Sequence, residues 1–125
     1  MANKYKNKKV VIDGIQFDSK KEGNHWLKLK ALEAQGKITD LQRQVKFTLL
    51  PAIYETVDFT PRGKPIKRCV ERAVTYTADF AYKDSDGKTC VEDTKSAITA
   101  KDKVYIIKRK LMKYVHNITL KEVRE

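Results

Sequence analysis

The sequence predicts an α/β or α+β sandwich, helices packed on a mixed β-sheet, and three observations predict it. Two stretches, near 19–35 and 99–115, carry apolar residues at helical spacing. Alternating runs rich in Val, Ile, Tyr and Thr lie before, between and after them. Turn signals such as Asp13-Gly14, Pro61-Arg62-Gly63 and Asp86-Gly87 separate the runs.

The chain begins with a polar, basic arm, Met1 to Lys9, carrying Lys4, Lys6, Lys8 and Lys9. Val10 to Phe17 reads as a short hairpin around Asp13-Gly14. Ser19 opens a helix to about Gln35, with Gly36 as its terminator. A strand is expected from Gln44 to Leu50, where Val45, Phe47 and Leu49 alternate with polar residues. After Pro51 a looser segment leads to a turn, Thr60 to Pro65, with basic residues at its tip. Ile66 to Tyr82 is again strand-like, with Val74, Tyr76, Ala78 and Phe80 on one face and Thr75, Thr77 and Asp79 on the other. Lys83 to Lys88 forms a hairpin loop and Thr89 to Lys95 the returning strand. Thr99, with Asp102 as a capping box, begins a second helix whose apolar stripe is Val104, Ile107, Leu111 and Tyr114/Val115. Asn117 to Val123 is expected to be a last strand. The order is hairpin, helix, three strands, helix, strand, in one domain, 1–125, with residues 10–123 as its core and 1–9 as a flexible arm.

Composition narrows the partners. With 27 Lys+Arg against 16 Asp+Glu the net charge is +11, which favours a polyanion, nucleic acid first and an acidic membrane surface second. No stretch has transmembrane length and the N-terminus lacks the apolar run of a signal peptide, so the chain reads as cytoplasmic with no membrane partner. Cys69 and Cys90 are too few for a zinc site and are expected to be buried free thiols. No Ser or Cys has a histidine and an acid at a convincing spacing, and no phosphate-cradling glycine loop is present.

The acids carry the chemistry. Asp79, then Asp93-Thr94-Lys95 on the next strand, supplies two carboxylates for a divalent cation on a phosphate and a lysine for the water and the developing charge. Alternation puts Asp93 and Lys95 on one face and Glu92 on the other, and a hairpin would bring Asp79 within a few ångströms of Asp93. Exposed acids with Lys95 as their salt-bridge partner would give the same local pattern. Glu22 fits a capping box with Ser19, yet shares a helix face with Trp26, Leu29 and Glu33, so it should lie near the core rim where it can complete a metal site. Gln44 is an auxiliary polar candidate, with plain solvation as its alternative. Lys101, Lys103, Lys108, Arg109, Lys110 and Lys113 make the second helix the densest basic element, and Arg62 and Lys64 sit at the loop tip. These read as phosphate contacts, without visible base readout.

Phe17-Asp18-Ser19-Lys20-Lys21-Glu22, Leu41-Gln42-Arg43-Gln44, Tyr76-Thr77-Ala78-Asp79-Phe80 and Val91-Glu92-Asp93-Thr94-Lys95, followed by the basic helix, occur in that order. Together they resemble the PD-(D/E)xK, or restriction-endonuclease-like, superfamily over roughly residues 10 to 123. The likeness is to small phage and prophage nucleases of the Holliday-junction-resolvase type, with a similar core in the DNA-cleaving subunits of some transposases. The resemblance implies an αβββαβ core, a Mg²⁺-dependent endonuclease in which Mn²⁺ can substitute, a DNA partner and a homodimer. It implies Glu22 as the helix acid, Asp79 and Asp93 as metal ligands and Lys95 as the catalytic lysine. Two positions depart from the pattern: Ala78 stands where proline is usual, and Asp93 where glutamate is commoner, which shortens the reach to a metal. Branched DNA is the implied substrate. A nuclease with another target (a transposase-like end-cutter, a nickase or a repair nuclease) and a non-catalytic nucleic-acid-binding module remain as alternatives.

Overall fold

In the computed structural model, which describes residues 9–94 and 97–123, the chain opens with a hairpin. Strands β1 (Val10–Ile12) and β2 (Ile15–Phe17) pair antiparallel across Asp13 and Gly14, both at positive φ as an Asp-Gly turn of this kind requires. Helix α1 (Lys20–Ala34) follows, with Ser19 as N-cap accepting from the Glu22 N–H at 3.2 Å. Gly36, at φ +75, ends it as expected. Gly23 lets the hairpin lie close on the helix: a Cβ there would stand 2.6 Å from Ile12 Cδ1.

The main sheet has four strands in the order β3 (Thr39–Leu50), β6 (Val74–Lys83), β7 (Thr89–Thr94), β8 (Lys121–Val123). The first two pairings are antiparallel and β7–β8 is parallel. Between β7 and β8 lie the short α2 (Ala97–Ala100) and α3 (Lys103–His116), which makes the crossover that a parallel pair needs. Without the two hairpins the order is αβββαβ, a mixed α+β sheet flanked by two principal helices. Hydrophobic clusters fill both sides. Phe17, Trp26, Leu29, Phe80 and Tyr82 pack on the α1 side, and Leu49, Tyr76, Ala78, Val91, Tyr105 and Met112 on the α3 side.

Five expectations are corrected. β3 begins at Thr39, not Gln44, because Asp40 and Gln44 are absorbed into the strand at positive φ. The looser segment after Pro51 is strand β4 (Ile53–Phe59), paired with β5 (Pro65–Glu71), so Ile66 to Tyr82 is two strands broken at Arg72-Ala73. This second hairpin makes no substantial contact with any other described element, and its residues are nearly all exposed. Cys69 is therefore exposed rather than buried, while Cys90 is half-buried. The second helix starts after Asp102, whose carboxylate accepts from the Tyr105 N–H, and Thr99 instead belongs to α2. It ends at Asn117 in the left-handed conformation, which shortens the last strand to three residues.

The fifth correction concerns α3. Its inward residues are Tyr105 and Met112, whereas Val104, Ile107, Tyr114 and Val115 of the expected core stripe are exposed and Leu111 is only partly covered. The periodicity is real but faces outward, rotated by roughly a third of a turn from the buried side.

Candidate metal-binding acidic centre

The centre is built where the β6–β7 ladder stops. Backbone pairing runs from Lys83↔Thr89 to Phe80↔Glu92 and ends there. Beyond that point side chains replace the rungs. The Asp79 N–H donates to Asp93 Oδ1 at 2.7 Å, and Asp79 Oδ2 accepts from the Thr94 N–H at 3.0 Å and its hydroxyl at 2.9 Å. Each aspartate thus spends one oxygen on a backbone N–H of the other strand's segment. Asp93 is 1 % exposed and Asp79 half-buried.

A change of face on β3 and β6 brings the helix acid into range. On β3, Leu41 packs on the α1 side but Val45, Phe47 and Leu49 pack on the α3 side. On β6, Tyr76 and Ala78 face α3, whereas Phe80 and Tyr82 face α1. Phe80 therefore leaves the face that strict alternation assigns it. The switch falls at Gln44 (φ +50) and Asp79, which stand opposite each other between the pairs Arg43↔Phe80 and Val45↔Ala78. Because both strands switch together, their register is unchanged there.

Glu22, 4 % exposed on the first turn of α1, receives a hydrogen bond from Gln44 Nε2 at 3.3 Å. Burial pushes its pKa from 4.5 to about 7, and the charges of Asp79 and Asp18 push the same way, while Arg43 and the Asp18 backbone N–H oppose them. Gln44 is thus a contact of the acidic centre. Arg43, to which the sequence reading gave no role, stacks its guanidinium 4.5 Å from the Phe17 ring and supplies the nearby positive charge. The available signal was a charged residue standing in an otherwise apolar alternation, Leu41, Arg43, Val45, Phe47 and Leu49.

Asp93 and Glu92 divide between the two faces. Glu92, 2 % exposed, bonds His25 Nε2 of α1 at 3.1 Å, accepts from the Tyr82 hydroxyl and lies 4.0 Å from Lys121 Nζ. Burial alone would raise its pKa; the His25 and Tyr82 hydrogen bonds and the neighbouring charges outweigh that and hold it below the usual value. Asp93 pairs in register with Glu122, whose carboxylate accepts from Tyr105 Oη at 2.9 Å and lies 3.6 Å from Arg109. Burial, then the hydrogen bond and charge of Glu122 and the charge of Asp93, push the Tyr105 hydroxyl pKa up. Arg109, expected on phosphates, is half-buried on this inner network.

Glu22, Gln44, Asp79 and Asp93 are therefore brought together. Lys95 and the arm lysines Lys4, Lys6 and Lys8 lie outside the described residues. Lys101, Lys103, Lys110 and Lys113 are exposed around α3 and Lys108 is half-buried there; Arg62 and Lys64 are exposed at the β4–β5 tip, remote in the chain from the acids. No group of three or more His, Cys, Asp or Glu among the described residues stands close enough to enclose an ion. The family model described as Protein of unknown function (DUF1064) matches residues 2–124. The chain belongs to the DUF1064 family. No curated protein and no solved structure matches it. In this DUF1064 chain the acids and Gln44 come from α1, β3, β6 and β7, so residues far apart in sequence are assembled by the packing of α1 on the sheet. No helix among the described residues is long and apolar enough to cross a membrane.

Proposed function

We propose that this protein is a metal-dependent DNA endonuclease of the PD-(D/E)xK type, acting in the cytoplasm of a bacterial host on branched DNA. The observation that carries the reading is the convergence of Glu22, Gln44, Asp79 and Asp93 where the β6–β7 ladder ends. The residues fit a hard divalent cation. The donors are carboxylate oxygens with no thiol or imidazole among them, as Mg²⁺ prefers. The raised pKa of Glu22, driven by burial and then by Asp79, marks a centre short of positive charge. Since no three of the described acids stand close enough to enclose an ion by themselves, Asp79 and Asp93 would hold Mg²⁺ or Mn²⁺ together with the substrate phosphate, with Glu22 beside them. When bound, the cation supplies Lewis-acid stabilisation of a phosphate and acidifies a water.

The chain's own groups do the rest. Thr94 fixes one oxygen of Asp79 and the Asp79 N–H fixes one oxygen of Asp93, so both carboxylates are held in place before substrate arrives. Gln44 holds Glu22 in place. Lys95, two residues beyond Asp93, is assigned the water and the charge developing on the phosphorane. The net charge of +11 draws the polyanion in, with the exposed lysines of α3 and the β4–β5 tip as candidate phosphate contacts.

A second reading, a non-catalytic nucleic-acid-binding module, is favoured by the backbone bonds that Asp79 and Asp93 accept, since a purely structural acid would make the same bonds. The test is cleavage of a labelled four-way junction, linear duplex and single strand, in Mg²⁺ and in EDTA, by wild type and Asp79→Asn. Paired nicks in the junction alone, lost in EDTA and in the variant, support the full proposal. Equal cutting of every DNA keeps the nuclease and drops the branched substrate. Tight binding without cleavage in Mg²⁺ or Mn²⁺ leaves the binding module.

A further inference from the structure

Glu92 has no part in the acidic centre, yet it is buried and held from two different elements. The Tyr82 hydroxyl donates to it from β6, and His25 Nε2 donates to it from α1 at 3.1 Å. The two donors are not equivalent. Strands β6 and β7 are already joined by backbone pairing at Phe80↔Glu92 and Tyr82↔Cys90, so the Tyr82 bond ties strands that are tied without it. His25 belongs to a helix whose backbone lies against the β1–β2 hairpin and β3, and its bond reaches past them to β7. Its side chain is 13 % exposed and its ring packs on Phe80 at 5.5 Å, which fixes the imidazole in place.

We propose that the His25–Glu92 pair is a clamp that sets where Glu22 stands relative to Asp79 and Asp93, which makes both of them positioning residues of the acidic centre. Its consequence for metal binding rests on the nuclease reading; its effect on Glu22 does not. Sequence adjacency carries the argument. Glu22 precedes His25 by three residues, one turn back on the same helix face, and Asp93 directly follows Glu92. Helix and strand therefore meet at the centre through Glu22 and Asp93, and are joined one step away through His25 and Glu92.

The other contacts of α1 do not fix that spacing. Trp26 and Leu29 hold the helix on the sheet by apolar packing, which is non-directional and tolerates small slides and rotations. The Gln44 bond to Glu22, at 3.3 Å, is at the long end of the range. The charges of Glu22 and Asp79 repel each other, which pushes the first turn of α1 away from the sheet. A charge-assisted hydrogen bond to a buried carboxylate is directional and opposes that displacement.

The test compares His25→Ala, His25→Gln and Tyr82→Phe, with folding checked by circular dichroism. The Gln amide falls near the position of His25 Nε2 and can donate to Glu92. The first readout is the Gln44 side-chain amide resonance in ¹⁵N NMR, recorded in EDTA, which reports the bond to Glu22. The second is Mn²⁺ affinity by equilibrium dialysis. His25→Ala and Tyr82→Phe should both lose stability. The Gln44 resonance should move towards its unbonded value in His25→Ala alone, with Mn²⁺ affinity falling about tenfold, and His25→Gln should restore both. Should His25→Ala fail to fold, His25→Asn, whose amide stops short of Glu92, takes its place. A Gln44 resonance unmoved in the loss variant, or moved equally in Tyr82→Phe, would overturn the clamp. An Mn²⁺ affinity that holds while the resonance moves would overturn its link to the metal. Failure of wild type to take up Mn²⁺ counts against the metal reading alone, because the Gln44 resonance is read without metal.

Discussion

Replacing Glu22 by Gln is expected to stabilise the metal-free protein at high pH and to leave it unchanged at low pH. The folded pKa of Glu22 is raised by burial and then by the charge of Asp79, from 4.5 to about 7. A carboxyl with a raised folded pKa binds more protons in the folded state than in the unfolded one. Its contribution is therefore fully present below about pH 4.5 and lost as pH rises through about 7. At about 1.36 kcal/mol per unit, the whole span has an upper bound of ~3 kcal/mol. The substituted amide carries no charge at any pH and keeps an oxygen for Gln44, so the variant avoids that cost. Residual solvation at the rim lowers the expected gain at pH 8 to about 1–2 kcal/mol. For a chain of this length that is about 4–8 °C in Tm. Thermal unfolding by circular dichroism in EDTA, at pH 4.5, 6 and 8, measures it. A gap that is the same at all three values, or a variant less stable at pH 8, would refute the idea that Glu22 is held in a charge-poor pocket beside Asp79.

Asp79→Asn keeps an acceptor for Thr94 and should cost under ~1 kcal/mol in stability while lowering cleavage by at least about 10³-fold; Asp79→Ala, which strands the half-buried Thr94 N–H, should cost about 1–3 kcal/mol in chemical denaturation. Adding Mg²⁺ at pH 8 is expected to raise the Tm of wild type and to leave Asp79→Asn nearly unmoved, as scanning calorimetry would report. Tyr82→Phe removes a donor from buried Glu92 and should destabilise by about 1–3 kcal/mol near pH 7 with cleavage retained, because Glu92 lies on the opposite face from Asp93. The Glu92 pKa is held low, so that deficit should shrink as pH falls through and below its ordinary range. DNA affinity, titrated by fluorescence anisotropy, should fall steeply with salt, and Lys110→Ala should reduce the slope by about one.

Local rules made much of the fold readable. The Asp13-Gly14 turn, the Ser19 cap, Gly36 and the Lys83–Lys88 loop are each set by the chemistry of a few neighbouring residues, and each stands where the sequence placed it. Helix α1 was legible down to its face, because Glu22, Trp26 and Leu29 share a 3.6-residue period and a single core. The failures have one physical origin. Alternation and helical periodicity report that a face is apolar and do not say what covers it. They placed Val104, Ile107 and Tyr114 against the sheet, when the sheet is already covered by Tyr105 and Met112. They also hid strand β4, whose Ile53 to Phe59 run has no buried face to impose a pattern. At Gln44 and Asp79 both strands change face together, and no periodicity rule anticipates a paired switch.

That switch bears on whether the acids are structural or functional. Of the four non-glycine residues at positive φ among the described residues, Asp13 and Asn117 serve a turn and a helix cap, and Asp40 sits at a break in the β3 register. Gln44 alone combines the conformation with unbroken register inside a sheet, at a cost of order 1–3 kcal/mol. Opposite it stands Asp79, half-buried, and against it Glu22, buried with a pKa near neutrality. A sheet that only needed its strand ends held together could use threonine or asparagine at these positions, with neither a buried charge nor a left-handed residue. Backbone strain and carboxylate crowding coincide at one point, where ordinary ladder pairing would have satisfied every backbone group. What the arrangement gains is a cluster of carboxylates, each held by a hydrogen bond, at the place where the strands part. On the proposed reading, a divalent cation bound there would relieve the crowding that burial and Asp79 impose on Glu22, and the local penalty of the free protein would become binding energy for the metal.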